Sequence, residues 1–451
     1  MNQSDAVIQT KSVCPVCLQV LAAVITEKDG FVYLEKRCDE HGFFSTLIWE
    51  DSLKSYLAWE NKMPVRVEHA AQSKVEKGCP YDCGHCENHL QETCCMLLEI
   101  TSRCNLYCPV CFADSREDKE QDDLSLEDIE LQLDFLQRAG GKFNIQLSGG
   151  EPTVREDMEE VVALVKKKKF PYVQLNTNGL RFAEEEGYAK KLKKAGLDAV
   201  FLQFDGVSDE VYQTLRGKPL WEQKQIAVVR AAEAGLGVVL VPTLVYGVNH
   251  HQIGDILRYA LGHMPAVRGV HFQPVSLFGR YPKRLTDKPL TIPFLLRAIE
   301  QQTQGVIKRE YFAGGGAESA YCSLLASIVI MENGEVFAAE KEKSACCEAT
   351  IERSRKYVAK QWSASSDIYE VEQEQEDGNA FASLDAFLNR SRTHRLTISA
   401  MFFQDAYSLD LNRLKQCKVG VLAGEKIIPF CAYNLTALDG TALYRNNEAM
   451  K

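Results

Sequence analysis

The sequence predicts an α/β fold in which parallel strands alternate with helices, either as an open (β/α)6 barrel or as a doubly wound sheet. Three observations support this. Short apolar runs alternate with amphipathic stretches from residue 96 to about residue 274. Polar or glycine-containing motifs follow the predicted strands, which is where such folds carry their functional groups. The cysteines avoid this region: eleven of the sixteen precede residue 112, and five follow residue 321.

The composition indicates two or three domains. The chain has 451 residues, with 52 basic and 62 acidic side chains and a formal net charge of −10, which argues against a nucleic-acid-binding surface. The amino terminus lacks the apolar core of a signal peptide, and the longest apolar stretch, residues 236–245, is too short to span a bilayer. We therefore expect a cytoplasmic protein without a transmembrane segment or a nucleic-acid partner, whose cysteines bind metals or serve redox chemistry.

Six short strands are predicted in the central region. Ser125 and Asp128 form a capping box that begins the helix after the first strand, and the apolar residues that follow recur at helical spacing. The predicted strands are 97–101, 143–147, 172–176, 199–204, 238–245 and 269–272.

Three cysteines follow the first predicted strand in the spacing C-x3-C-x2-C. Cys104, Cys108 and Cys111 are close enough in sequence to hold three corners of a [4Fe–4S] cluster, and no fourth cysteine completes the run at short range. Most clusters that only carry electrons are held by four cysteines, so the spacing predicts an iron that is open to a substrate or cofactor. A structural zinc site is the alternative interpretation.

Polar groups follow the next three predicted strands. Glycines there let the backbone approach a ligand closely, and the amides and carboxylates could contact a ribose or a carboxylate. Arg216 could meet a carboxylate as well, although its position in the sequence favours the surface. The candidates are Gly149, Gly150 and Glu151 after the second strand, Asn176 and Asn178 after the third, and Gln203 and Asp205 after the fourth.

Two groups of metal ligands precede the barrel. The first surrounds a predicted hairpin at Asp29-Gly30 and indicates a ribbon that binds one zinc or iron ion. The second could form a tetrahedral zinc site or hold a [4Fe–4S] cluster, and the spacing does not separate these two. The first group is Cys14, Cys17, Cys38 and His41, and the second is Cys79, Cys83, Cys86 and Cys94.

The motifs and their order along nearly the whole chain resemble those of a known family. GCPYDCGHC, TSRCNLYCPVCFADS, LSGGEPT, TNGL, QFDG and IPFCAYN resemble the radical S-adenosylmethionine (SAM) subgroup that contains archaeal pterin C-methylating enzymes and tetraether lipid synthases. The resemblance favours a partial (β/α)6 radical SAM barrel at 96–280. It implies a metal ribbon at 1–60, an auxiliary cluster segment at 61–95 and a C-terminal auxiliary-cluster domain at 281–451.

The resemblance also implies ligands and cofactors. SAM would bind the open iron, and the Gly149–Glu151 motif would hold its methionine amino group. The set from Cys79 to Cys94 would hold an auxiliary [4Fe–4S] cluster. A second one would be held by Cys322, Cys417 and Cys431 with either Cys346 or Cys347, although scattered cysteines are often simply small buried apolar residues. Val110 departs from the family, which usually has an aromatic residue there, and Phe112 follows it.

By resemblance, the chain is a transferase in which one electron cleaves SAM to a 5′-deoxyadenosyl radical. The radical abstracts hydrogen from an unactivated carbon, and a carbon–carbon bond forms by methylation of a pterin-like substrate or by coupling of alkyl chains. Flavodoxin or ferredoxin would supply the electron. A pterin predicts a polar, aromatic-lined pocket, whereas a lipid predicts a long apolar channel. The alternatives are a peptide-modifying radical SAM enzyme and a non-catalytic multi-cluster electron carrier.

Overall fold

The computed structural model describes residues 7–60, 72–115, 123–141, 143–286, 288–315, 318–338, 351–364, 390–391 and 393–445. Its amino-terminal part is an antiparallel sheet in the order β1-β2-β3-β4. Asp29 and Gly30 form the predicted turn between the two central strands, with φ of 52° and 78°. The elements are β1 (Ile8–Val13), β2 (Val20–Lys28), β3 (Phe31–Cys38), β4 (Gly42–Trp49) and helix α1 (Leu53–Trp59).

Thirteen strands of the described part of the chain form one large sheet. They are β5 (Cys95–Thr101), β6 (Asn144–Gly149), β7 (Tyr172–Thr177), β8 (Ala199–Gln203), β9 (Gly237–Val241), β10 (Thr243–Leu244), β11 (Val267–Pro274), β12 (Ala313–Gly314), β13 (Ser323–Ile330), β14 (Val336–Ala338), β15 (Arg395–Met401), β16 (Val419–Ala423) and β17 (Lys426–Pro429). The helices after α1 are α2 (Leu126–Arg138), α3 (Met158–Lys167), α4 (Leu180–Glu184), α5 (Tyr188–Ala195), α6 (Asp209–Arg216), α7 (Trp221–Glu233), α8 (Ile253–Gly262), α9 (Ile292–Gln302), α10 (Ile351–Trp362), α11 (Leu411–Leu414) and α12 (Phe430–Tyr433).

The strand order confirms the partial barrel. The parallel strands β5, β6, β7, β8, β9 and β11 are neighbours in sequence order, without the reversal that defines a doubly wound sheet. The sheet stays open, because β15 extends it beyond β11 and β16 extends it beyond β5. The predicted strand 238–245 is divided between β9 and β10 at Pro242, which has no N–H to donate to a neighbouring strand.

Side chains alternate between the two faces of this sheet. Ile145 and Leu147 of β6 belong to the apolar core that the helices cover, whereas Gln146 and Ser148 point to the opposite, inner face. The same alternation on the next strands gives the inner face both polar and aromatic side chains. It carries Gln146, Ser148, Tyr172, Gln174, Asn176, Phe201, Gln203, His271, Gln273 and Ser399.

Helix α10 closes the amino-terminal end of the inner face. Its last residue, Trp362, packs with its ring centroid 4.6 Å from that of Phe201 and 6.1 Å from that of His271. Gly237 lets the helix end come this close, since a Cβ there would overlap the Trp362 carbonyl oxygen. The inner face therefore has an aromatic floor and opens toward the carboxyl ends of the strands.

The amino-terminal sheet docks against the carboxyl-terminal part of the chain. Lys36, which is 3% exposed, donates to Ser12 Oγ at 2.9 Å and to the carbonyls of Ala406 and Tyr407 at 2.7 and 2.9 Å. Three acceptors compensate the burial of its ammonium group. The four predicted domains stay predictions, and the large sheet includes strands from both sides of residue 280.

The buried His271 predicts a sensitivity to acid. Burial lowers its pKa to about 4, below the value near 6.5 of an unfolded chain, so the unfolded state binds more protons between these pH values. The free energy of unfolding should therefore fall by up to about 3 kcal/mol as the pH drops from 6.5 to 4. Denaturant unfolding of His271→Gln should show a shallower pH slope than the parent, whereas His251→Gln, at an exposed position, should keep the parental slope. Parallel slopes for His271→Gln and the parent would contradict this.

Candidate functional site

The three cysteines of the C-x3-C-x2-C motif lie on the loop after β5. Arg280 holds this loop: its backbone exchanges two hydrogen bonds of 2.9 Å with Cys111, and its guanidinium donates to the Cys108 carbonyl at 2.9 Å. Burial raises the pKa of Cys104 to about 12 and also raises the pKa of Cys108. Buried thiols with a raised pKa lose their protons when a metal binds to them and stay protonated without it.

The spread of these sulfurs fits a cluster better than a single ion. Ligands of one zinc ion, each bonded at about 2.3 Å, lie within about 4.6 Å of one another. In the part of the chain that the structure describes, only the amino-terminal ribbon gathers three or more ligand atoms within 4.8 Å. Cys104, Cys108 and Cys111 do not form such a group, and their C-x3-C-x2-C spacing is compatible with ligands to separate irons of one cluster.

Arg216 connects this loop to the barrel. Its guanidinium donates to both carboxylate oxygens of Asp205, at 2.7 and 2.8 Å, to the Val110 carbonyl at 3.0 Å and to Thr243 Oγ1 at 2.9 Å. The expectation of a surface position for Arg216 is wrong, since it is only 8% exposed. The loop, α6, β10 and the residue after β8 therefore meet at one satisfied ion pair.

Gly149 and Gly150 bring the end of β6 against the cysteine loop. The Gly150 N–H donates to the Thr101 carbonyl at 2.9 Å, and the next N–H donates to the Arg103 carbonyl at 2.8 Å. A Cβ at Gly149 would overlap the Thr101 carbonyl oxygen, and one at Gly150 would overlap that of Arg103. Both glycines are required for this approach, which sets the position of the backbone next to Cys104.

Glu151 positions the neighbouring strand end. One carboxylate oxygen accepts from the Thr153 N–H at 3.1 Å and from the hydroxyls of Thr153 and Thr177, both at 2.7 Å. The other accepts from the Asn178 N–H at 2.6 Å. Four donors from the chain thus occupy a carboxylate that is 2% exposed. This arrangement gives Glu151 a positioning role, because it joins the end of β6 to the residues that end and follow β7.

The four remaining candidates divide into two pairs. Asn178 and Asp205 are buried and bond to the protein: the Asn178 amide donates to Asn105 Oδ1 on the cysteine loop at 2.7 Å, and Asp205 pairs with Arg216. Asn176 and Gln203 are half-buried on the inner face. Only the second pair still offers polar surface toward the open end of the barrel.

Lys224 is a functional residue that the sequence did not indicate. It lies on α7, is fully buried, and donates to the Asn178 carbonyl at 2.5 Å and to Gln203 Oε1 at 3.0 Å. Burial lowers its pKa to about 8. It joins the ends of β7 and β8, and no local motif marks it, because a lysine in an amphipathic helix usually lies in solvent.

The amino-terminal ribbon brings its predicted ligands together. One ligand atom from each of Cys14, Cys17, Cys38 and His41 lies within 4.8 Å of all the others, and His41 Nδ1 is 3.4 Å from Cys38 Sγ. Three sulfurs and one imidazole nitrogen in this space suit a tetrahedral zinc site.

The second predicted group is only partly assembled. The neighbouring Cys79 thiol, burial and the charge of Cys86 all raise the pKa of Cys83. The neighbouring Cys95 thiol lowers the pKa of Cys94, and the Cys94 N–H donates to the Lys418 carbonyl at 2.8 Å. The inclusion of Cys94 in this group stays a prediction.

The carboxyl-terminal cysteines lie at the open seam of the sheet. Cys322 precedes β13 near one edge, Cys417 precedes β16 and Cys431 follows β17 at the other. The charges of Cys322 and Cys417 raise the pKa of Cys431 further after burial, and Arg413 donates to Cys322 Sγ at 3.5 Å. The predicted fourth ligand, Cys346 or Cys347, lies outside the described residues.

Gly150→Ala tests the close approach of β6 to the cysteine loop. The added methyl group should displace the loop, so that the purified protein holds about four fewer irons per chain and binds SAM at least about tenfold more weakly. Iron analysis and equilibrium dialysis measure both. Gly262→Ala is the matched control, since a Cβ there has nothing within 4 Å. Parental iron content and SAM affinity in Gly150→Ala would contradict the expectation.

Comparison with known proteins gives this site its context. The family model of the radical SAM superfamily matches residues 98–260, and that of the HMPTM N-terminal zinc ribbon domain matches residues 7–50. A 7,8-dihydro-6-hydroxymethylpterin dimethyltransferase of Methanocaldococcus jannaschii is 33% identical over 94% of this chain and 93% of that protein. A probable GTP 3′,8-cyclase of Methanothermobacter thermautotrophicus is 33% identical over 38% of this chain and 55% of its own length.

Solved structures are more distant. Streptococcus suis SuiB bound to SAM has a TM-score of 0.39 at 16% identity, covering 49% of this chain and 47% of that one. None of the helices in the described part of the chain combines the length and apolarity needed to cross a bilayer. The predicted resemblance is confirmed by the match to the superfamily and by a relative that aligns over almost its whole length. The chain belongs to the radical SAM superfamily and is an enzyme that uses a [4Fe–4S] cluster and SAM.

Proposed function

We propose that this enzyme methylates a carbon atom of a pterin-type substrate. The observation that supports this proposal is the inner face of the barrel. It is polar at its open end and is closed by aromatic side chains at its floor. Gln146, Asn176, Gln203 and Gln273 offer amide groups there. A small, planar, polar heterocycle suits such a pocket. The full-length relative is named for dimethylation of a dihydropterin, which supports the same substrate class.

A long alkyl chain suits this inner face less well. It would need a continuous apolar channel, whereas the floor is filled by Trp362 and Phe201. Above the floor, polar side chains of β6, β7 and β8 interrupt the apolar surface that Val239 and Val241 of β9 provide. Gln174, at the middle level, is fully buried and donates to Asn176 Oδ1 at 2.8 Å. A hydrocarbon would remove water from the half-buried amides of Gln146, Asn176 and Gln273 and supply no hydrogen bond in its place, which costs free energy. This favours methylation of a heterocycle over coupling of alkyl chains.

The residues of this chain would share the work as follows. Cys104, Cys108 and Cys111 would hold a [4Fe–4S] cluster, which supplies the electron for cleavage of SAM and hence hydrogen abstraction. The backbone at Gly149 and Gly150 would contact the methionine part of SAM. The half-buried Asn176 and Gln203 would contact its ribose, and their neighbours Asn178, Asp205, Glu151 and Lys224 would fix the strand ends on which they lie.

The flanking groups would bind metal in support of this site. We assign zinc to the ribbon and auxiliary clusters to the Cys79–Cys86 group and to the seam cysteines Cys322, Cys417 and Cys431. Buried thiols close to one another, without disulfides among the described cysteines, support metal binding in a reducing compartment. We therefore place the enzyme in the cytoplasm, with flavodoxin or ferredoxin as the electron donor.

The proposal is tested by product analysis. The SAM that is cleaved to 5′-deoxyadenosine leaves its methyl group on methionine, so a second one-carbon donor must supply the new methyl group. Reconstituted enzyme with excess SAM, a reductant, a reduced folate-type one-carbon carrier as the alternative methyl donor and 7,8-dihydro-6-hydroxymethylpterin should give 5′-deoxyadenosine, methionine and a C-methylated pterin, all measured by mass spectrometry. The triple variant C104A/C108A/C111A should form none of these above the level without enzyme, because the cluster has lost its ligands. Cys95→Ala removes one thiol outside the proposed ligand sets and should retain all these products. Cleavage of SAM without any methylated pterin, across a range of pterin concentrations, would overturn the substrate assignment.

A further inference from the structure

A buried ion pair lies at the mouth of the barrel, outside the residues assigned above. Glu99 is on β5, next to Ser148 of β6 in the strand register, and it points to the inner face because Leu98 and Ile100 belong to the helix-covered core. Its partner, Arg445, comes from the carboxyl-terminal segment, 346 residues away. The side chains are 16% and 8% exposed.

The pair is bidentate and is held from several sides. Arg445 donates to the two oxygens of Glu99 at 2.6 and 3.0 Å, and its Nε donates to Asn434 Oδ1 at 3.0 Å. The Tyr433 hydroxyl adds a hydrogen bond to Glu99 at 3.3 Å. The guanidinium also lies 4.8 Å from the Tyr433 ring centroid and 5.6 Å from that of Phe112 on the cysteine loop.

This pair keeps unused hydrogen-bonding capacity. A guanidinium has five N–H donors, and a carboxylate accepts at about four lone-pair positions. Among the described residues, Arg445 spends three donors, on Glu99 and Asn434, and Glu99 accepts three hydrogen bonds. The pair thus holds the guanidinium donors of the buried Arg445 beside the partly exposed carboxylate acceptor of Glu99.

The chemistry of the pair matches one edge of a pterin. The 2-amino-4-oxo ring carries N–H donors directly beside a carbonyl acceptor, so its edge complements an acceptor placed next to donors. Phe112, which is 38% exposed, lies next to Cys111 and offers an aromatic face at the same mouth. The Arg445 guanidinium lies 5.6 Å from the ring centroid of Phe112, and this places the pair beside the cysteine loop that would hold the cluster.

We propose that Glu99 and Arg445 recognise the 2-amino-4-oxo edge of the pterin substrate, so that they determine specificity without taking part in the radical chemistry. This inference rests on the proposed function. A purely structural role would not require charges, since buried ion pairs are often replaced by apolar residues without loss of stability. The remaining donors and acceptor point to a ligand that supplies the complementary edge.

Glu99→Gln is the sharpest test, because it keeps the shape of the side chain and replaces one acceptor by a donor. In the reconstituted enzyme, the Kd for 7,8-dihydro-6-hydroxymethylpterin should rise about 10- to 100-fold, the range of one charge-assisted hydrogen bond. The Kd for SAM should stay within twofold of the parental value. Equilibrium dialysis measures both. Arg445→Lys keeps the positive charge and loses the two parallel N–H donors of the guanidinium. It should weaken pterin binding by a smaller factor.

A matched control and a second ligand separate recognition from folding. Glu50 is also a buried carboxylate with two cationic partners, Lys288 and Arg297, but it belongs to the amino-terminal part, so Glu50→Gln should leave the pterin Kd within twofold. Lumazine has an oxo group where the pterin has its 2-amino group. The parent should therefore prefer the pterin over lumazine, and Glu99→Gln should reduce this preference at least about fivefold.

The outcomes distinguish the inference from the function on which it rests. If the parent binds and methylates the pterin while Glu99→Gln keeps the parental Kd and preference, the inference is overturned and the function stands. An equal loss in Glu50→Gln would also overturn it, since the effect would then come from stability. If the parent itself binds no pterin, the proposed function fails first.

Discussion

The buried ion pair between Arg216 and Asp205 is the interaction on which the active-site geometry depends. It fixes the cysteine loop through the Val110 carbonyl and fixes β10 through Thr243. A buried guanidinium is stabilising only when its donors find acceptors, and this one has four oxygen partners. The position of the cysteine loop is consequently coupled to the ends of the strands. A shift of either would break hydrogen bonds of the buried Arg216 guanidinium.

The carboxyl-terminal segment extends the open sheet beyond the first of its six central parallel strands. It supplies β16 beside β5, the seam cysteines Cys417 and Cys431, and Arg445 at the mouth. The amino-terminal ribbon in turn holds this segment through Lys36. The cysteines at both ends of the sequence are therefore connected to the cysteine loop by packing, and the ribbon supports the segment that carries Arg445.

Sequence alone predicts the parts of this structure that are local. The cysteine loop, the Gly149-Gly150 turn and the Asp29-Gly30 hairpin each follow from a few adjacent residues with strong conformational or chemical preferences. The roles of Lys224 and of the Glu99–Arg445 pair could not be predicted, because they depend on contacts between residues that are distant in sequence. The floor formed by Trp362 is also missed, since an amphipathic helix does not reveal which end of a sheet it covers.

The charges around the mouth explain why this region is organised before any ligand binds. Arg216 pairs with Asp205 and Arg445 pairs with Glu99, while burial raises the pKa of the Cys104 and Cys108 thiols. Deprotonation of these thiols adds negative charge that bound iron offsets. Cluster binding and thiol ionisation are thus one event, and the surrounding ion pairs need not rearrange to allow it. A site that is charge-balanced in this way can hold SAM and a polar heterocycle in fixed positions, which is what directed hydrogen abstraction requires.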